Sequence, residues 1–280
     1  MKNETQEDTV IRLQTMARTM RLKALEMALG AGKNGAHLGP AFSCMEIFAV
    51  LYGEVMRVNA KEPFDIERDR FIPSKAHCVL AYYTALWQKG FISTDELNTF
   101  EHNGSNLAGH PVMDVSRGFE YTGGSLGMAM GAAIGMALDA KYKNRKNKTY
   151  VLLGDGELDE GSNWEAFLAA PHFKLDNLTA IVDKNVLQYD GTTDEVMSLG
   201  DLQAKLTAFG WNVTKVDGHD VQALLNAFDS KSADKPNFII ADTVKGKGVS
   251  FMENIREWHH GVLSQQQFEQ AVAEVTGVNQ

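Results

Sequence analysis

Two short apolar runs, each closed by a polar turn and set one helix apart, constrain this chain more than any other feature. Tyr150-Val-Leu-Leu153 runs into Gly154-Asp155-Gly156, and Leu178-Thr-Ala-Ile-Val182 runs into Asp183-Lys-Asn185, with a helical pattern from Asp159 to Ala170 between them. Runs this short and this apolar read as strands buried on both faces. A strand, a helix and a second strand in succession join parallel strands through a right-handed crossover. The alternation continues: Leu202 to Phe209 is helical, Trp211 to Val216 alternates, Val221 to Phe228 is helical, and Phe238-Ile-Ile-Ala241 is a third apolar run. The expectation is an α/β fold, a mostly parallel sheet flanked by helices on both faces. Such sheets take ligands at the carboxyl ends of their strands. Glycine and acidic residues gather there, in Gly154-Asp155-Gly156, Asp183-Lys-Asn185, Asp217-Gly-His219 and Asp242-Thr243.

The first half of the chain reads as mainly helical. Ile11, Leu13, Met16, Met20, Leu22 and Leu25 recur at three- and four-residue steps within Val10 to Leu29; Ala41 to Met56 and Lys75 to Gln88 read as further helices, and Ser93-Thr-Asp-Glu96 as a capping box. Ser125 to Leu138, interrupted by Gly127, Gly131 and Gly135, is too short and glycine-rich to span a membrane and reads as a closely packed helix. Lys141 to Lys148 reads as a solvated helix end, and Ser264 to Val275 as a closing helix. With 44% hydrophobic residues among 280, a sizeable core is available; the net charge of −9 argues against a general nucleic-acid binder. Cys44 and Cys78 form no C-x-x-C pair, and the polar, acidic N-terminus carries no signal pattern, so a cytoplasmic protein without membrane attachment is expected.

The spacing of the two strand ends carries chemistry. Asn185 follows Asp155 by 30 residues, one strand–helix–strand unit, so both side chains reach neighbouring strand ends. A hard cation such as Mg2+ or Ca2+ takes carboxylate, amide and backbone oxygens, and these two residues supply a charge and a neutral oxygen. Gly156 lets a diphosphate approach the backbone. Histidines recur in glycine- and proline-containing segments: His37 in Asn34-Gly-Ala-His-Leu-Gly39, His77 after Arg68-Asp-Arg-Phe-Ile-Pro-Ser-Lys-Ala, His110 in Gly-His-Pro111, and His259 and His260 before Gly261. Loops of this kind carry functional groups, and imidazoles bind phosphate or move protons near neutral pH.

The stretch from Gly154 to Asn185, continued by Val186-Leu187-Gln-Tyr-Asp190-Gly191, resembles the thiamine diphosphate motif of the transketolase family. The histidine segments, Tyr121-Thr-Gly-Gly-Ser-Leu-Gly127 and Gly246-Lys-Gly248 follow in the family's order, and the likeness runs from about residue 10 to 275. The resemblance implies that Asp155, Asn185 and the Leu187 carbonyl hold the metal. It implies that Gly154, Gly156, His77 and His260 meet the diphosphate of thiamine diphosphate, and that Gly124, Ser125 and Leu126 lie along its rings. His37, His110 and His260 take catalytic places, His37 and His110 facing the donor sugar, and Glu160 falls at a subunit interface. Two segments depart from the family: Ala36-His-Leu-Gly39 stands where Gly-His-Pro-Gly is usual, and Glu101 and Asn106 stand where basic residues are common. These bear on substrate identity.

Residues 1–280 are thus expected to form one pyrophosphate-binding domain, with neither a pyrimidine-binding nor a C-terminal domain. The cofactor does the carbon chemistry and the protein positions it. The expected activity is transfer of a two-carbon ketol unit between sugar phosphates. It would require a separate C-terminal transketolase subunit carrying the activating glutamate, in two copies of each chain. Alternatives are a subunit related to deoxyxylulose-phosphate synthases or 2-oxoacid dehydrogenases, and a non-catalytic nucleotide-binding domain, which leaves Asn185 and the histidine segments without a purpose.

Overall fold

The computed structural model describes residues 4–230 and 232–277. Five strands, β1 (Arg70–Pro73), β2 (Thr149–Gly154), β3 (Leu178–Lys184), β4 (Asn212–Asp217) and β5 (Asn237–Asp242), form one sheet in the order β1-β2-β3-β5-β4. Every pairing is parallel, so the expected sheet is present with its crossovers. Successive strand residues feed opposite faces. Tyr150 and Leu152 enter one apolar core while Val151 and Leu153 enter the other, as a pleat of period two requires.

The first core lies against the long helix α1 (Gln6–Gly30), the short α2 (Leu38–Phe42) and α3 (Met45–Val50), and α4 (Val79–Gln88). After α5 (Thr94–Leu97), the helices α6 (Ala129–Tyr142) and α7 (Gly161–His172) cover the opposite face. Following α8 (Thr193–Met197), α9 (Leu202–Phe209) joins α6 and α7, while α10 (Val221–Asp229) and α11 (Gln265–Thr276) return to the first face. Helix α1 begins at a capping box between Thr5 and Asp8 and buries Leu13, Ala17, Met20, Ala24 and Ala28, one stripe at three- and four-residue steps.

Three segments differ from the reading of the sequence. The helix expected from Ser125 to Leu138 is α6, which runs Ala129–Tyr142, and Ser125 to Met128 form a loop. Ala41–Met56 is not one helix. The Ser43 hydroxyl bonds back to the Pro40 carbonyl at 2.9 Å and also reaches Asp183, so the chain turns between α2 and α3 and ends in a π turn, Leu51–Val55. The helix read from Lys75 to Gln88 opens later, as a 3-10 turn at Ala76–Cys78 followed by α4. Ahead of it lies a strand the sequence did not announce, β1 at Arg70–Pro73, whose ladder the Lys75 N–H continues onto the Leu152 carbonyl at 2.8 Å. A four-residue strand ending in proline gives little periodic signal and is tolerated here because β1 is a sheet edge. Among the described residues, no helix is long and apolar enough to cross a membrane.

Candidate functional site

The strands β1, β2, β3 and β5 end at one cleft of about 340 Å3. Its metal-suited corner is built from the turns after β2 and β3. Asp155, 3% exposed, accepts the Gly156 N–H at 2.9 Å and the Val186 N–H at 2.5 Å. Val186 has φ of 59°, a left-handed conformation uncommon for a β-branched residue. That strained residue sits between Asn185 and Leu187, both of which line the cleft. Strain of this kind persists where the surroundings over-determine it, typically at ligand sites. Burial, with Asp183 adding like charge, pushes the Asp155 carboxyl up to about 6. A buried carboxylate, an amide and a backbone carbonyl on a polar cleft fit a hard cation.

Beneath this corner lies a buried ion pair. Lys75, at the end of β1, donates to Asp183 of β3, to the Pro40 carbonyl at 2.8 Å and to the Ser43 hydroxyl at 3.1 Å; Thr243, after β5, donates a further bond to Asp183. Burial opposes charge on both partners, but their attraction prevails and keeps Lys75 protonated and Asp183 ionised. A second lysine, Lys245, is 1% exposed; its ammonium donates to the Leu187 carbonyl at 3.1 Å and lies 3.0 Å from His259 Nδ1. Burial, with Lys75 nearby, brings Lys245 down to about 8.

Four histidines line the cleft. The His37 ring centroid lies 5.7 Å from His77, 5.5 Å from His110 and 5.7 Å from His259, and the His77 and His259 rings stack at 5.0 Å. Burial lowers all four below the ordinary imidazole value, His37 and His259 to about 3, so at neutral pH each is uncharged and donates from one nitrogen only. The segment carrying His259 is latched to that carrying His37 by paired Ala36–Gly261 backbone bonds of 2.8 and 3.1 Å. Gly35 permits the latch: its φ is 70°, and a Cβ there would fall 2.8 Å from the Gly261 carbonyl oxygen.

Gly124 and Leu126 also line the cleft, and a Cβ placed on Gly124 would lie 3.9 Å from the His110 ring. Their loop is clamped by buried Glu157, which accepts the Gly127 and Gly154 N–H groups at 3.0 Å each and the Ser74 hydroxyl. A Cβ on Gly109 would lie 2.7 Å from Glu101 Oε1, so the Glu101 carboxylate sits against the residue before His110.

Of the residues singled out from sequence, His37, His77, His110, Gly124, Leu126, Gly154, Asp155, Gly156, Asn185 and Leu187 converge on this cleft. Ser125, Glu160 and His260 do not line it and are exposed; His260 stacks edge-on to His37 at 4.5 Å from outside. Glu160 lies at the surface where α7 begins, beside Gly127. Sequence reasoning missed Lys75, Glu157, Asp183 and Lys245 as parts of the site. Asp183 and Lys245 had a signal, since each lies at or just beyond the carboxyl end of a buried strand.

A parallel sheet with an oxygen-lined corner and a wall of imidazoles at its carboxyl edge defines a domain of the diphosphate-cofactor-binding class. Residues 13–279 match the family described as "Transketolase, thiamine diphosphate binding domain". The chain is 46% identical to an apulose-4-phosphate transketolase subunit of Phocaeicola vulgatus over 86% of both chains. It is 38% identical to the 6-deoxy-6-sulfo-D-fructose transketolase subunit SqwG of a Clostridium species, covering 95% of this chain and 96% of that one. Human transketolase is 37% identical over 94% of this chain, which spans only 42% of that enzyme. The crystal structure of Campylobacter jejuni transketolase superposes with a TM-score of 0.88 at 29% identity, covering 95% of this chain and 43% of that one. The chain belongs to the transketolase family, as a transketolase subunit carrying the thiamine diphosphate binding domain.

Proposed function

We propose that this chain forms the diphosphate-binding half of a split transketolase that moves a two-carbon ketol unit from a ketose donor to an aldose phosphate. The observation carrying this reading is the oxygen-lined corner: buried Asp155, Asn185 and the Leu187 carbonyl converge across a strained Val186. In this reading Asp155, Asn185 and Leu187 hold Mg2+, and Ca2+ fits the same donors. Gly154 and Gly156 admit the diphosphate, and Lys245, His77 and His259 donate to it. His259 takes the place expected of His260, because its ring lies in the cleft wall beside Lys245. Gly124 and Leu126 flank the rings. Bound thiamine diphosphate supplies the electron sink for carbon–carbon bond cleavage. His37 and His110 hold donor hydroxyls and move their protons, with His260 at the outer edge.

The same reading requires a partner. The Phocaeicola vulgatus and Clostridium relatives, matched over 86% and 96% of their own lengths, are named as subunits. Exposed apolar residues adjoin the cleft segments in sequence: Val112 and Met113 after His110, Met128 after Leu126, and Val186 and Tyr189 beside Asn185. Exposed apolar surface of this kind marks an interaction site, and Tyr189 itself lines the cleft. A C-terminal transketolase subunit carrying the activating glutamate would cover it and meet Glu160, with two copies of each chain closing a two-fold assembly. Residues 1–280 then serve as one pyrophosphate-binding domain. The cytoplasm suits the two free thiols, Cys44 and Cys78.

Isothermal titration of the assembled enzyme tests the site. Asp155→Ala should abolish Mg2+-dependent binding of thiamine diphosphate, and Asn185→Ala should weaken it strongly. Unchanged affinity in both variants would remove the metal assignment.

A further inference from the structure

The motif Asp217-Gly-His219 lies outside the cleft, yet it is joined to the cleft by a chain of part-buried polar contacts. His219 Nε2 lies 2.9 Å from the Val244 backbone nitrogen, and Nδ1 lies 3.0 Å from Glu46 Oε2. A backbone N–H can only donate, so Nε2 is an acceptor, and Nδ1 carries the proton that goes to Glu46. The imidazole is therefore fixed in one tautomer and one orientation by its two partners. Glu46 is in turn gripped by both terminal nitrogens of Arg21, one at 2.8 Å, and this pairing with Arg21 and His219 keeps its carboxyl at about 2 against the opposing effect of burial. Arg21 also donates through Nε to the Lys247 carbonyl at 3.2 Å.

The network thus grips the backbone on both sides of Lys245, at the Val244 N–H and the Lys247 carbonyl. Two close approaches fix the geometry further. Gly218 donates to the Asp242 carbonyl at 2.8 Å, and a Cβ there would fall 2.4 Å from Thr243 Cγ2. Gly246 donates to the Gly39 carbonyl at 3.1 Å. Lys245 is left with a buried ammonium facing the Leu187 carbonyl and His259.

We propose that His219, backed by Glu46 and Arg21, is a positioning residue that sets Lys245 in the wall of the cofactor cleft. Its effect on cofactor binding rests on the function proposed above; its effect on the Lys245 segment does not. Glutamine can both accept from Val244 N–H and donate to Glu46, whereas leucine can do neither and asparagine is too short to reach both. The test compares His219→Gln, His219→Asn and His219→Leu in the full-length chain. Backbone hydrogen exchange is read across residues 244–248, and thiamine diphosphate affinity with Mg2+ is read in the assembled enzyme. The Leu and Asn variants should exchange faster across that segment and bind the cofactor about tenfold more weakly, the usual scale for losing an outer-shell partner. The Gln variant should stay near wild type in both. Equal exchange across the segment in all variants, or a Gln variant as impaired as Leu, overturns the proposal. If the wild-type assembly itself fails to bind thiamine diphosphate, the cofactor reading falls, and the exchange comparison still decides the positioning role. Because Gln and Asn carry the same amide, a folding defect confined to Leu leaves the decision to that pair.

Discussion

Replacing Asp155 by asparagine should stabilise the chain in the absence of metal and cofactor while abolishing its response to them. In the ligand-free fold, burial and the nearby Asp183 raise the Asp155 carboxyl from 3.8 to about 6. A carboxyl whose folded pKa lies above its unfolded value is better tolerated protonated. Its destabilising effect is absent below pH 3.8, grows as pH rises toward 6, and is complete above it. That separation corresponds to about 3 kcal/mol at about pH 7.5. Asparagine removes the charge at nearly constant volume, but only its amide oxygen can accept, so it serves one of the Gly156 and Val186 N–H groups and turns a donor NH2 toward the other. One unsatisfied N–H costs about 1–2 kcal/mol. The net expectation is a gain of about 1–2 kcal/mol at about pH 7.5, measured by urea denaturation in a chelating buffer, that disappears by about pH 4. Adding Mg2+ and thiamine diphosphate should stabilise the wild type and leave the variant unmoved. A variant less stable than wild type near neutral pH, or a gain independent of pH, would refute the claim that Asp155 is a desolvated charge awaiting a cation.

Three further outcomes follow from the geometry. Lys75→Met leaves the Asp183 carboxylate buried without its cation and should cost about 3–5 kcal/mol in urea denaturation, and a loss below about 1 kcal/mol would contradict the paired assignment. His259→Ala should weaken thiamine diphosphate binding in titration calorimetry well beyond His260→Ala, and the reverse order would restore His260 to the diphosphate. His110→Ala should lower kcat/KM for ketol transfer about 10²-fold or more while sparing cofactor affinity, and normal turnover by a folded variant would make His110 an ordinary loop residue.

How much of this was legible in the sequence depended on whether the signal was local. The strands β2, β3 and β5 announce themselves because both faces are buried and nearly every position is apolar, and the turns that follow carry Asp155 and Asn185 at a spacing one crossover unit explains. Edge strand β1 is four residues long and ends in Pro73, so only a histidine-bearing segment stood out there. Ser43 breaks the expected Ala41–Met56 helix through a bond to Asp183, a partner 140 residues away that no local pattern reveals. Lys75 and Asp183 are likewise far apart in sequence, and lysines are seldom fully buried, so neither lysine drew attention to the cleft. Glu157 lies in the same motif as Glu160, but only the packing shows that Glu157 points inward to clamp Gly127 while Glu160 stays outside. The choice between His259 and His260 is of the same kind. His259 closes a 3-10 turn, Arg256–His259, while His260 is extended, so the two side chains diverge, and the Ala36–Gly261 latch anchors the residue that follows them.

The most direct test of the account is where a divalent cation binds. Crystals of the chain with its partner subunit, thiamine diphosphate and Mn2+ in place of Mg2+ would report the metal by anomalous scattering. The account predicts one peak within about 2.0–2.4 Å of an Asp155 carboxylate oxygen, the Asn185 amide oxygen and the Leu187 carbonyl, with the diphosphate completing the shell. A fully occupied peak elsewhere, or a bound diphosphate with no metal between it and Asp155, would contradict it.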